Sequence, residues 1–219
     1  MKVLLAGLLI LPCLSGAFAA DPPPAGSAAD HLAGLQRWLD ERPHLHASFR
    51  QSLVSGALGT GLVESGELWL RRPGQMRWEY RDPEYKLALV VDRRTWLYLQ
   101  EDQQLILGLL DDEASLLPRL LASETRLQSL FVATPMDLLE GDDGLGILLL
   151  PSGVDEAFEE VRLVLDPRTF AVREARITDS GGNRMLYTFE GWEPDPGSSD
   201  PQFRFEPPAG TEVVGSHEP

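Results

Sequence analysis

The chain has 219 residues, 43% of them hydrophobic, and carries a formal charge of −15 from 34 acidic and 19 basic side chains. The length suits one domain with a sizeable core, and the composition is too polar for a polytopic membrane protein. So acidic a surface argues against nucleic acid as a partner and against electrostatic adhesion to anionic lipid.

Residues 1–19 read as a secretory signal peptide. Lys2 precedes an apolar run, Val3 to Leu14, that is too short to span a bilayer, and Ala17-Phe18-Ala19 gives a small-x-small cleavage pattern. The sole cysteine, Cys13, lies inside that run behind Pro12, where a lipoprotein signal wants a small residue, so no anchor through it is expected. Cleavage leaves no cysteine, and the exported domain is held by its core without disulfides. Losing Lys2 and no acid, the mature chain sets 18 basic against 34 acidic side chains, a charge of −16. A Pro/Ala-rich linker spans residues 20–28, the folded domain is assigned to 29–214, and 215–219 form a tail.

Ser27, with Asp30 three residues on, predicts a capped helix start. Leu32, Leu35, Trp38 and Leu39 fall on one helical face, and Arg42-Pro43 ends the helix. Leu45, Ala47, Phe49 and Leu53 then alternate with polar residues, as a half-buried strand requires. After a Gly56–Gly61 loop, Leu62 to Arg71 forms a second strand with Leu68, Trp69 and Leu70 apolar in succession. Pro73-Gly74 turns the chain into Gln75 to Tyr80, where Met76, Trp78 and Tyr80 occupy one face. Tyr85 to Asp92, an Arg93-Arg94 turn, Thr95 to Gln100 with Trp96 and Tyr98 on one side, and Gln103 to Leu109 complete an antiparallel meander.

The pattern changes at Asp111-Asp112-Glu113, whose charges suit a helix N-terminus. Leu116, Leu117, Leu120 and Leu121 crowd one side of a short helix in which Pro118 is tolerable in the first turn. Ser123 is read as capping a second short helix through Phe131. This leucine-rich insertion suits a lid. Strands resume at Phe131 to Leu139, Gly146 to Pro151, Val161 to Leu165, Phe170 to Asp179 and Met185 to Phe189. The expected fold is α+β: an incomplete, open antiparallel β-barrel of about ten or eleven strands with an N-terminal helix and a short helical lid.

No catalytic constellation accompanies this pattern. His44-x-His46 shares one strand face but lacks a third metal ligand, and the other histidines, His31 and His217, lie far off in sequence. Gly56 to Gly61 has the wrong spacing for a dinucleotide fingerprint. Asp142-Asp143-Gly144 lacks the alternating oxygens of a calcium loop. With no cofactor, metal or enzymatic nucleophile indicated, binding is the expected class.

Trp69-Leu-Arg-Arg-Pro-Gly-Gln-Met-Arg-Trp78, Ala47-Ser-Phe-Arg-Gln51 and Phe203-Arg-Phe-Glu-Pro-Pro-Ala-Gly-Thr-Glu-Val213 together resemble the LolA family of periplasmic outer-membrane lipoprotein carriers. The resemblance implies a half-closed barrel whose cavity shelters lipoprotein acyl chains. It implies a periplasmic, monomeric shuttle between an inner-membrane ABC transporter and an outer-membrane acceptor. It gives Arg72 the role of a latch on the lid, and Met76 that of a cavity-lining residue. Trp69, Trp78, Tyr80, Trp96, Tyr98 and the four lid leucines are the further lipid-binding candidates. On packing alone, Arg72 reads first as a rim arginine paired to an acid, and Met76 and Trp78 equally as ordinary core. The Arg93-Arg94 turn lacks the glycine usual in that hairpin, and the lid departs from the family pattern. A carrier of another lipid or pigment, or a lipid-sensing regulatory module, remains open as an alternative.

Overall fold

A computed structural model describes residues 26–55, 61–110, 116–122, 124–138, 143–153, 158–195 and 200–217. The signal peptide, the acidic run Asp111 to Glu113 and Ser123 lie outside the described residues.

Helix α1 (Ala28–Asp40) begins where the sequence places it. The Asp30 backbone N–H donates to the Ser27 hydroxyl oxygen at 3.2 Å, and the Ser27 N–H donates back to the Asp30 carboxylate at 2.9 Å. That reciprocal pair satisfies two of the amides a helix start leaves without partners. Leu32, Leu35, Trp38 and Leu39 are all buried.

The meander follows as β1 (His44–Val54), β2 (Gly61–Arg71), β3 (Gln75–Asp82), β4 (Lys86–Val91), β5 (Arg94–Leu99) and β6 (Gln104–Leu109). Two short helices, α2 (Leu116–Ala122) and α3 (Leu127–Leu130), interrupt it. The chain then forms β7 (Phe131–Pro135), β8 (Leu145–Pro151), β9 (Phe158–Leu165), β10 (Val172–Asp179) and β11 (Arg184–Pro194), before a 3₁₀ turn (Asp200–Phe203) and β12 (Glu212–Gly215). The twelve strands make one sheet in the order β12-β6-β5-β4-β3-β2-β1-β11-β10-β9-β8-β7, so β12 and β7 are separate edges and the barrel is open. Pairing is antiparallel except between β12 and β6.

Several boundaries differ from the sequence reading. Strand β12 lies where the sequence predicts only a closing segment and a tail, since Val213 and Val214 are adjacent apolar residues with no alternation to mark a strand. The β4–β5 turn sits at Asp92-Arg93, one residue early, with φ of 48° and 70°. Positive φ at both central residues is the hairpin geometry that glycine usually supplies, and aspartate tolerates it. The second short helix is only Leu127–Leu130, with Arg126 at its N-cap and no side-chain cap bond; Phe131 already belongs to β7. Pro118 is the third residue of α2, inside the first turn.

The cross-strand register defines two faces. Leu45 lies opposite Leu70, which lies opposite Met76, which lies opposite Val90; the next inward layer is Ala47, Leu68, Trp78 and Ala88. On the other side of β1, Phe49 meets Phe189, and Ala175, Leu163 and Ile147 continue the same face. Helices α1, α2 and α3 all join this inner face in one buried cluster. The opposite, outer face of β4–β6 carries a second cluster of Leu87, Tyr98 and Leu105, with Tyr85, Trp96, Leu107 and Phe205 packed against it.

Candidate functional site

The inner face is lined by aromatic rings in continuous contact. Phe49 meets Trp78 edge-on at 4.7 Å between centroids and Tyr80 at 5.0 Å. Trp78 lies 5.6 Å from Tyr187 and 6.1 Å from Phe189; Phe189 reaches Trp192 at 5.3 Å, and Trp192 meets Trp38 of α1 at 5.4 Å. Offset and edge contacts at these separations favour aromatic pairs beyond their buried area. Trp192 also donates its indole N–H to the Val172 carbonyl at 2.7 Å.

Helix α2 covers the β2–β3 part of this face. Leu116, Leu117, Leu120 and Leu121 are each at most 6% exposed and share the cluster of Met76 and Trp78. Of the ten apolar residues singled out from the sequence, Met76, Trp78, Tyr80 and the four leucines come together on the inner face. Trp69, Trp96 and Tyr98 do not. Trp69 pairs in register with Arg77 on the outer face, where the guanidinium of Arg77 lies 5.8 Å from its ring and His46 at 5.0 Å. Trp96 packs on His217 at 4.4 Å and Tyr98 on Phe205 at 5.0 Å, beneath the C-terminal segment. Leu68-Trp69-Leu70 made both faces of β2 apolar in the sequence, and the outer layer formed by residues after 200 was the missing cue.

Arg72 stands at the β2–β3 turn with its side chain 10% exposed, and its Nη2 lies 3.4 Å from Asp40 Oδ1 at the end of α1. Burial pulls the guanidinium pKa below its ordinary value, against the raising effect of Asp40. It remains charged at any neutral pH. Its backbone N–H donates to the Pro43 carbonyl at 2.7 Å. The turn's bond to α2 is made two residues later: the Gly74 N–H donates to the Ala122 carbonyl at 2.9 Å. His46 is engaged by acids, with Nε2 2.8 Å from Glu67 and Nδ1 3.2 Å from Glu193.

Sequence reasoning missed a polar group on the inner face. Gln51 and Glu64 face each other in register, Tyr80 faces Lys86, and Lys86 donates to the Glu64 carboxylate. The signal was available in β1, where Gln51 occupies the inward parity of Leu45, Ala47, Phe49 and Leu53.

An open sheet with helices laid on an aromatic inner face defines a half-barrel binding protein. The profile of the family described as outer membrane lipoprotein carrier protein LolA matches residues 42–206. The chain is 30% identical over 201 residues to the outer-membrane lipoprotein carrier protein of Azotobacter vinelandii, covering 90% of this chain and 93% of that one. It is also 30% identical over 192 residues to the protein of the same name from Pseudomonas aeruginosa, covering 85% and 89%. An uncharacterized conserved protein from Thermus thermophilus shares the fold at a TM-score of 0.53 and 14% identity, over 85% of this chain and 98% of that one. The chain belongs to the LolA family of outer-membrane lipoprotein carriers.

Proposed function

We propose that this protein is a periplasmic, non-enzymatic carrier that shelters lipoprotein acyl chains on its inner face. The single observation that supports this reading best is the continuous aromatic and leucine surface beneath a short, separately docked helix. The names of its relatives support the same cargo. In this reading residues 1–19 direct export and are removed, an inner-membrane ABC transporter loads the acyl chains, and an outer-membrane acceptor receives them.

Magnitudes favour exchange over release. Each buried methylene is worth about 0.8 kcal/mol, so one long acyl chain gains on the order of 10 kcal/mol. Lifting α2 uncovers four leucines at about 1.5–3 kcal/mol each, an upper estimate of roughly 6–12 kcal/mol. The two terms are similar. Cargo therefore replaces the lid at little net change, while escape into water stays strongly uphill, and transfer needs a direct encounter with the acceptor. In this scheme the Gly74 turn is the catch that α2 leaves on loading, and Arg72 ties that turn to Asp40 of α1.

Purification from periplasm under native conditions, followed by mass spectrometry, tests the reading. Copurifying acylated lipoproteins are expected. Recovery of an unrelated lipid or pigment alone would reassign the cargo, and a chain free of acylated material that also fails to take up a lipopeptide would end the carrier reading.

A further inference from the structure

The polar group on the inner face has no part in sheltering hydrocarbon. Glu64 is 6% exposed and Gln51 is 8% exposed, yet both lie among aromatic side chains. Lys86 donates to Glu64 and holds its Nζ 4.7 Å from the centre of the Tyr80 ring, a cation–π placement. The Tyr80 hydroxyl donates to Gln51 Oε1 at 3.0 Å. Tyr187 borders the group, and burial with the nearby Glu64 carboxylate pushes its phenol up to about 12. An ion pair taken out of water is commonly no better for stability than apolar residues of the same volume. A wall selected for hydrocarbon alone has no reason to keep one.

The position of the group is informative. Gln51, Glu64, Tyr80 and Lys86 come from four successive strands of the sheet order and sit at one end of β3, whereas Met76, next to the Arg72 turn and α2, sits at the other. The four-residue step from Met76 to Tyr80 spans about 13 Å of strand. The lining thus runs from a polar end to a wholly apolar one. Lys86 keeps 22% of its side chain exposed, so the polar end is not sealed. Its remaining ammonium hydrogens and the Gln51 carboxamide N–H groups have no other partner among the described residues.

Resting on the carrier reading, we propose that Gln51, Glu64, Tyr80 and Lys86 form a subsite for the uncharged ester or amide carbonyls that join acyl chains to their head group. Lys86 and the Gln51 carboxamide donate to those carbonyls, and the chains run over Trp78 and Met76 toward α2. Charge selects against a phosphate in the same place. Glu64 already neutralises Lys86, and a phosphate would bring an oxyanion beside a buried carboxylate in a chain of net charge −15. Uncharged acceptors meet no such repulsion.

Displacement of a bound naphthalenesulfonate dye from the full mature chain, by dipalmitoylglycerol, dipalmitoylphosphatidate or hexadecane, tests this. Dipalmitoylglycerol is expected to bind about tenfold or more tighter than dipalmitoylphosphatidate, the equivalent of one good hydrogen bond plus avoided repulsion. In the Glu64→Leu/Lys86→Leu double variant that preference should fall to within about threefold, while hexadecane binds as before. If the double variant does not fold, Gln51→Leu alone, which changes no charge, should weaken dipalmitoylglycerol and spare hexadecane. A preference that survives these changes, or a wild-type chain that takes the phosphatidate as well as the diacylglycerol, overturns the subsite and leaves the carrier reading intact. Failure of wild type to bind any of the three overturns the carrier reading itself.

Discussion

The backbone N–H of Gly74 donates to the carbonyl of Ala122 across 2.9 Å, joining the β2–β3 turn to the last residue of α2. The carbonyl of the same glycine accepts from the Asp92 N–H at 3.3 Å. One turn therefore touches α2 and the β4–β5 turn, and two residues upstream Arg72 reaches the end of α1. Displacing α2 breaks the Gly74 bond directly.

Gly74 has a φ of +79°, and a Cβ added there would find its nearest contact at 3.6 Å, on Asp92 Oδ1. There is room for a methyl group, so only the left-handed backbone opposes it. Gly74→Ala is expected to lower stability by about 1–2 kcal/mol while keeping the bond to Ala122. Urea unfolding measures the loss, and a much larger loss would mean that the turn changes shape.

Arg72→Leu removes the guanidinium from Asp40 without touching the turn's backbone. Because Asp40 is half exposed, the ion pair itself is worth no more than about 1 kcal/mol, and the variant should fold normally. Its expected defect is in hand-off: it loads acyl chains and then retains them, because the empty closed state has lost one of its contacts. Transfer of a fluorescent lipopeptide to an outer-membrane acceptor reads this out, and a wild-type rate would remove Arg72 from the mechanism.

Gly34 is buried in α1, and a Cβ there would lie 2.4 Å from the Phe170 ring. Gly→Ala within a helix ordinarily adds about 1 kcal/mol of stability. Here the sign should reverse. Phe170 has little freedom to retreat, since its φ is 64° and its N–H is held by the Asp166 carbonyl at 2.9 Å. Gly34→Ala is expected to destabilise by about 1–3 kcal/mol, the overpacking range. Combining it with Phe170→Ala should recover part of the loss relative to the sum of the single changes, which a double-mutant cycle by thermal unfolding would detect.

The parts of the fold set by local physics were legible. Ser27, Asp30 and the leucines at helical spacing located α1, and alternation at Met76, Trp78 and Tyr80 gave β3 with its correct inward face. The parts set by distant chain were not. Trp96 and Tyr98 alternate as cleanly as Trp78 and Tyr80, and only Phe205 and His217, more than a hundred residues later, turn them to the outer face. Likewise β12 exists because Glu212 to Gly215 finds the open edge of β6, a pairing with no local pattern. Within the candidate site, the burial of Leu116, Leu117, Leu120 and Leu121 was legible from their crowding on one helical side, and that of Met76 from the alternation of β3. Glu64 and Lys86 hid among residues that looked like solvated charges, because their partnership crosses β3.

The two tryptophan environments predict opposite phenotypes. Trp78 is 7% exposed and is ringed by Phe49, Tyr187 and Phe189. Trp78→Ala should cost about 3–5 kcal/mol and weaken acyl-probe binding. Trp96→Ala should leave the acyl probe bound as in wild type and instead loosen the C-terminal segment, measured as faster proteolysis near His217. Equal loss of probe binding in both variants would mean that cargo also uses the outer face.

Acid should loosen the molecule at its turns first. The Asp30 carboxyl is held below its ordinary value of 3.8, first by the Ser27 backbone N–H and then by the Ser27 hydroxyl. The Asp179 carboxyl is likewise lowered, chiefly by the Asn183 side-chain amide; burial opposes this, and the Asn183 and Gly181 backbone N–H groups add to the lowering. Each carboxylate releases its proton more readily folded than unfolded, so each stabilises the fold above its unfolded pKa and ceases to do so as pH falls through the lower folded value. Amide protection in the first turn of α1 and in the β10–β11 turn is therefore expected to fall as pH drops below the ordinary carboxyl value of 3.8, before the β8–β9 ladder opens. Asp30→Asn should remove that dependence from α1 while leaving it in the β10–β11 turn. Nuclear magnetic resonance of the amides across this range makes the comparison, and an α1 first turn that stays protected at the acid end would show that the Ser27–Asp30 pair does not control it.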